Sequence, residues 1–366
     1  MVSHEPDDSA RVTYRGSRCL LADMVVPKLI DSQIAKFTIE SLRAIRTRSF
    51  DPHATLHTLS ATRGAGVVAI DIGGDKLIAT SYNVRQGTLI QEGKPLVKEG
   101  TAGAGYIDVL EKVSALARTR LLPIGVSYAG PIQGSKVLAG VNIPVFMRDF
   151  QLRYNGDFAN LHSQMTLVND AEAGVMAASL EAVRRYPAAR HVIYVINGSG
   201  IGGAVLKDGA IYATEAGHIP AEGDLNSFGQ QRPCGLLGAT YVCLERVGAS
   251  KAGIEDIWFQ RREEKLTGKE IAAAYLAGDE LALRLYESSA LVTAHIVKGM
   301  AKALGLLREW DDTIVVGHGG TFHVPGYGDR VRSILEKDLS SETRMLFTND
   351  FSSNTCLDGA AIAGMP

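Results

Sequence analysis

Apolar and β-branched residues are densest in Val67-Val68-Ala69-Ile70-Asp71-Ile72, and the run breaks at Gly73-Gly74 before Leu77-Ile78-Ala79 resumes it. A continuous apolar run closed by glycine reads as a buried strand with a tight reversal. Residues 67–83 are therefore expected to form strand, turn and strand, with a third strand through Leu89-Ile90. Helical spacing follows over 106–118. Residues 123–129 form another apolar run, closed by the turn signal Gly130-Pro131. Met165-Thr166-Leu167-Val168 is a short strand ending in Asn169-Asp170, and the alanine-rich stretch 171–183 reads as a helix. Asp170 thus falls at a helix N-terminus.

A second set of elements begins with a strand over 191–196 that runs into Asn197-Gly198-Ser199-Gly200-Ile201-Gly202-Gly203. Two short apolar runs follow, Ala204-Val205-Leu206 and Ala210-Ile211-Tyr212, separated by Lys207-Asp208-Gly209. Residues 270–307 are mostly helical with a break near Gly278-Asp279. A strand over 313–316 enters Gly317-His318-Gly319-Gly320, and a small-residue helix spans 357–363. Residues 1–63 stand apart as a partly helical extension. Their first ten residues are polar and acidic, read as disordered and unlike a signal peptide. Ile34, Phe37, Ile39, Leu42 and Ile45 give 31–47 an amphipathic helical pattern, capped by Asp31 or Ser32. That helix is expected to pack as an appendage, with Arg43, Arg46 and Arg48 on a solvated face. It lacks the paired short helices of a helix-turn-helix reader.

With 366 residues the chain can hold two ordinary domains. Hydrophobic residues make up 46% and charged residues 21%, with a mean hydropathy of +0.04, the balance of a soluble globular protein. A formal net charge of −2 gives no electrostatic case for nucleic acid or for a membrane surface. Four scattered cysteines (Cys19, Cys234, Cys243, Cys356) make no disulfide framework and point to a reducing compartment, hence to the cytoplasm.

Gly198, Gly200 and Gly203 satisfy the G-x-G-x-x-G pattern, but the dinucleotide mechanism needs a helix directly after the glycines. Here the Asp208-Gly209 turn between apolar runs predicts a hairpin instead. No G-x-x-x-x-G-K-[ST] loop occurs either. What remains is two glycine-rich turns, 73–74 and 198–203, each joining consecutive strands in a separate half of the chain. Two such turns, rich in backbone N–H groups, can clasp a polyphosphate from opposite sides.

Asp71-Ile72-Gly73-Gly74, Ala129-Gly130-Pro131, Asn169-Asp170, residues 198–203, Glu215-Ala216-Gly217-His218 and Cys243-Leu244-Glu245 occur in the order found in the ROK family. That family comprises repressors, open reading frames and sugar kinases, and the chain resembles it over 66–366. The resemblance implies an α/β, two-lobed, actin-like ATPase fold of the ribonuclease H-like type, with ATP and a sugar held in the cleft between lobes. It divides the chain into an extension (1–63), an N-terminal lobe (64–170, with the last helix 356–366) and a C-terminal lobe (171–355). It implies Asp170 as the general base for the attacking hydroxyl, and Gly130, Asn142, Asn169, Glu215, His218 and Glu245 as sugar-site residues. Asp71, Gly73, Gly74 and Lys76 would form the first phosphate loop, with Asp71 towards Mg²⁺. Gly198, Ser199, Gly200 and Gly202 would form the second, and Gly319 and Gly320 would lie beside adenosine. His318 and His323 would sit by the nucleotide or in solvent. A homodimer is also implied.

Two departures stand out. Asp75 occupies a position where the family commonly has a small hydroxyl residue, so it either points away from the phosphates or helps hold metal, the former being preferred. The family's His-and-three-Cys zinc motif is incomplete: His218, Cys234 and Cys243 supply three ligands, Arg232 stands at another ligand position, and no fourth ligand is evident. The alternative to zinc is a pair of buried apolar cysteines. The activity expected is ATP-dependent phosphorylation of a hexose, amino sugar or sugar-like cyclitol. Other readings are a sugar-responsive ROK regulator, which would need a DNA-binding N-terminus, and a non-catalytic sugar-binding protein.

Overall fold

The protein was analysed as a computed structural model that describes residues 46–62, 64–140, 143–214, 216–218, 243–246, 250–352 and 354–365. Alternation along the strands sets its layers. In β2 (Gly66–Ile72), Val68, Ile70 and Ile72 enter one core and Val67 and Ala69 another, as a period of two requires. The turn at Gly73-Gly74 returns the chain antiparallel as β3 (Lys76–Arg85), and β4 (Thr88–Glu99) continues the meander. On the far side of β2 lie β5 (Ile124–Tyr128) and β8 (Met165–Asn169), both parallel to it. The sheet order is β4-β3-β2-β5-β8. A two-residue-per-strand hairpin, β6 (Ile132–Gln133) and β7 (Lys136–Val137), sits in the β5–β8 connection.

The second sheet repeats this plan. A meander of β9 (His191–Asn197), β10 (Ile201–Lys207) and β11 (Ala210–Thr214) is antiparallel, and β12 (Thr313–His318) and β13 (Met345–Phe347) run parallel to β9 on its other side. The predicted 207–209 hairpin is the β10–β11 turn, with Asp208 and Gly209 both at positive φ. Each sheet therefore delivers the glycine turn that follows its first strand to the same end of its own half.

Helices fill three layers. The outer face of the first sheet carries α2 (Tyr106–Arg120), α3 (Pro144–Tyr154) and the short α4 (Phe158–Leu161), whose Tyr106, Phe146 and Phe158 are fully buried against Ile70 and Val126; α1 (Pro52–Ala61) lies elsewhere, with Leu59 in the central core. The outer face of the second sheet carries α6 (Lys251–Arg262), α7 (Gly268–Leu276), α8 (Glu280–Ala303) and α9 (Tyr327–Leu339). Asp279 caps α8 by accepting from the Leu281 and Ala282 amides, which accounts for the break expected near Gly278-Asp279. Between the sheets lie α5 (Asp170–Arg185) and α10 (Thr355–Gly364). The former packs Ala171, Val175 and Ala178 with Val192 and Tyr194 of the second sheet; the latter packs Leu357, Ala360 and Ala361 on Val67 and Ala69 of the first.

Glycine sets the spacing of this middle layer. A Cβ on Gly359 would sit 1.8 Å from the Ala173 carbonyl oxygen, and one on Gly125 would sit 1.7 Å from that of Ala360. The two helices and β5 therefore touch backbone to backbone.

The extension departs from the sequence reading. Residues Arg46–Ser49 form β1, an edge strand antiparallel to β11, so the helical pattern does not run through Thr47; residues 31–45 lie outside those described. The open edge of β11 offers backbone partners that an isolated helix would forgo. Arg48 is not on a solvated face. It donates to the Leu167 carbonyl at 3.2 Å and lies 3.6 Å from the carboxylate of Glu172, which is 2% exposed. Among the described residues no helix is long and apolar enough to cross a membrane.

His318, at the end of β12, bonds Thr348 Oγ1 through Nδ1 at 2.7 Å and stacks on Tyr194, so it is a held side chain and not a loop histidine in solvent. Burial, with the nearby His323, pushes its pKa down to about 4. Two outcomes are expected. Gly359→Ala should cost about 3 kcal/mol or more in denaturant unfolding, because the backbone cannot yield without separating α5 from α10. The folded His318 protonates near 4 and the unfolded one near 6.5, so its contribution is complete above 6.5 and is lost as the pH falls from there to 4. His318→Gln should flatten the stability–pH curve in that window, and an unchanged slope would assign the loss to other groups.

Candidate active site

The first glycine turn is closed by the Gly73 amide donating to the Lys76 carbonyl at 3.0 Å. The second is closed by the Gly198 amide donating to the Gly200 carbonyl at 2.8 Å, while the Gly198 carbonyl accepts from the Lys251 amide at 2.9 Å. That last bond seats the N-terminus of α6 on the second loop. Ser250 caps the helix, accepting from the Gly253 amide at 3.2 Å. Gly74 and Asp75 of the first loop, Ser199 of the second, Arg246, and Ala252 of the first α6 turn face one another across a cavity of about 540 Å³. Residues 99–102, which follow β4, complete its wall.

Lys251 opens into a second cavity of about 360 Å³, whose lining includes Gly320, Thr321, His323, Ile254 and Tyr286. One helix N-terminus thus adjoins both spaces. Gly319 holds φ +103°, and a Cβ there would come 2.3 Å from the Asn197 carbonyl oxygen. The third glycine cluster is therefore pressed directly against the root of the second loop.

Asn197 itself went unrecognised in the sequence. Fully buried, its Nδ2 donates to Ser289 (3.3 Å), Thr293 (3.1 Å) and Tyr327 (2.9 Å), and its Oδ1 accepts from Thr321 (3.1 Å). Burial raises the Tyr327 hydroxyl to about 12, so it remains a neutral member of this network. A buried polar cluster with its partners supplied is rigid, and it fixes the second loop against α8, α9 and the Gly320 turn. The one available signal was an amide immediately before a glycine loop.

Glu245 lies beneath the second loop. Only 5% exposed, it accepts from the Ile201 amide at 3.1 Å through Oε2. A Cβ on Gly200 would stand 2.5 Å from that oxygen, which accounts for glycine at the middle of the loop.

Asp71, the penultimate residue of β2, has both carboxylate oxygens engaged: Ser127 Oγ donates at 2.9 Å and Asn354 Nδ2 at 3.0 Å. Burial pushes its carboxyl up, while the Asn354 and Ser127 bonds and the charge of Lys76 pull it back. Lys76 is exposed at the start of β3 and does not line the cavity. Asp170 is the first residue of α5, its Oδ1 accepting from the Ala171 amide at 2.9 Å. Asn169 is the N-cap, with Oδ1 accepting from the same amide and Nδ2 donating to the Gly130 carbonyl at 3.1 Å. Cys356, in the first turn of α10, feels the charge of both Asp71 and Asp170. Burial raises that thiol well above its ordinary value, and both carboxylates add to the effect.

Asp75 lines the cavity together with Gly74 and Ser199. Asn142, Glu215 and Cys234 lie outside the described residues, as does the side chain of His218. Cys243 is fully buried and forms no disulfide among the described residues. Among the described residues no His, Cys, Asp or Glu group of three or more could hold a metal ion.

The ROK family model matches residues 67–366. No curated protein sequence matches the chain. Similar solved structures include a ROK hexokinase from Thermus thermophilus, 21% identical with a TM-score of 0.56, covering 82% of this chain and 97% of the other. A ROK family glucokinase from Streptomyces griseus in complex with glucose and AMPPNP is 19% identical with a TM-score of 0.56, covering 81% and 98%. A ROK family transcriptional regulator, a homolog of the E. coli MLC protein, is 14% identical with a TM-score of 0.50, covering 82% and 78%. By its family match the chain belongs to the ROK family, and by its architecture it has that family's two-lobed, actin-like α/β fold.

Proposed function

We propose that this protein is an ATP-dependent carbohydrate kinase that phosphorylates a hydroxyl of a hexose, amino sugar or sugar-like cyclitol. The carrying observation is the meeting of two glycine turns, one from each sheet, across a single cavity beside the N-terminus of α6. Backbone amides and a helix N-terminus suit a polyphosphate, and the second cavity beyond Lys251 suits a nucleoside, with Gly319 and Gly320 at its edge. Gly73, Gly198 and Gly202 shape the turns, while Gly74 and Ser199 face the cavity. The two ROK enzymes above are matched over 97–98% of their length, the regulator over 78%.

In this reading Asp170 accepts the proton of the attacking hydroxyl. The helix N-terminus favours its ionised form, and the Ala171 amide fixes its orientation. Asn169 retains a second N–H and a further lone pair for a sugar hydroxyl. Gly130, Asn142, Glu215, His218 and Glu245 make up the remaining proposed sugar wall. Asp75 and Asp71 are the carboxylates that would hold Mg²⁺, Asp71 through water because its oxygens are already bonded. The ion supplies charge neutralisation when bound. We place the reaction in the cytoplasm and the chain in a homodimer. His218, Cys234 and Cys243 keep zinc open as a structural ion.

Release of ADP against a panel of hexoses, amino sugars and cyclitols tests the proposal. Turnover with at least one is expected; no turnover, combined with operator binding, would favour the regulator. Asp170→Asn should preserve the Ala171 bond and the unfolding midpoint while lowering kcat about 10²–10⁴-fold. Retained turnover would remove Asp170 from the base role.

A further inference from the structure

Arg246 is the basic side chain in the phosphate cavity that the proposed chemistry leaves unused. It lines that space with Gly74, Asp75 and Ser199, although its side chain is only 16% exposed. It stands 3.9 Å from Glu245 Oε1 and 3.8 Å from Asp256 Oδ2, both beyond hydrogen-bond length. Its Nε is buried and has no hydrogen-bond partner among the described residues. Glu245 meanwhile spends its other oxygen on the Ile201 amide. A buried guanidinium nitrogen without a bond is rare in folded proteins, and a bound ion or ligand is one account of it.

The walls define that ligand. Backbone of both glycine turns and the first turn of α6 favour an anion. Asp75 and Glu99 line the same space and oppose one. A fixed guanidinium can both offset these carboxylates and present its planar fork to phosphate oxygens. We propose that Arg246 is a ligand for the terminal phosphate of the bound nucleoside triphosphate, and that its charge counters Asp75 across the cleft. The inference rests on the kinase reading. It assigns Arg246 to the nucleotide rather than to the sugar, and it explains how a carboxylate is tolerated in the first loop.

Binding of ATP and of AMP to wild type, Arg246→Ala, Arg246→Lys and Asp75→Asn/Arg246→Ala, with kcat and sugar KM alongside, tests it. Arg246→Ala should weaken ATP about tenfold or more, leave AMP within about twofold, and lower kcat without raising sugar KM. Arg246→Lys should recover part of the loss. Removing the unopposed carboxylate in the double variant should also recover part of it. ATP affinity within about twofold of wild type in Arg246→Ala overturns the assignment, as does a parallel loss of AMP, which would mark a folding defect. No recovery in the double variant overturns the pairing with Asp75. Wild-type protein that turns over a sugar while Arg246→Ala is unaffected sinks this inference alone; wild-type protein that binds no ATP sinks the kinase reading with it.

Discussion

The cleft depends on a single close approach: the Ala173 carbonyl of α5 against Gly359 of α10, with Gly125 of β5 admitting the other side of α10. No side chain separates these three elements, so the distance between the sheets is set by backbone. That contact fixes the seat of α10 between α5, which begins at Asp170, and the first sheet, whose β2 carries Asp71. Asn354 then couples the geometry to the charge. Its Oδ1 caps α10 by accepting from the Leu357 amide, and its Nδ2 donates to Asp71. One amide therefore holds a helix start and a buried carboxylate together.

Charge in the cleft is balanced rather than uniformly positive. The first turn of α6 and Arg246 share one cavity with Asp75 and Glu99. An anion with a divalent cation would satisfy both sets, whereas either ion alone would meet opposition. The same balance bears on loop rigidity. The second glycine loop is bonded below by Glu245 and at its root by Asn197, so its amides keep their direction without a ligand.

The layers were legible because they depend on local periodicity. The continuous apolar run Val67–Ile72 gave a strand, Gly73-Gly74 gave its turn, and the Asp208-Gly209 turn separated a hairpin from a dinucleotide fold. What escaped was long-range. Glu245 meets Ile201 across 44 residues and Asn197 meets Tyr327 across 130, and no spacing rule links such pairs. The strand at Arg46–Ser49 was misread for a related reason: a helical pattern was carried through Arg46 and Thr47, where the open edge of β11 outweighed local preference. Of the duplicated strand plan of the two sheets, only the paired glycine turns showed in the residue pattern, since backbone pairing repeats without requiring side chains to repeat.

β1 lies before residue 67, where the family match begins, yet it supplies the last strand of the second sheet. Its Arg48 reaches the first sheet at Leu167 and the second turn of burial at Glu172, two residues from Asp170. The unit that inheritance defines and the unit that folds are therefore not the same length. A chain cut at the family boundary would bare a sheet edge, open to pairing with other chains, and would strand a buried carboxylate beside the site where proton transfer is proposed. Evolutionary modularity and mechanical integrity part company at this strand.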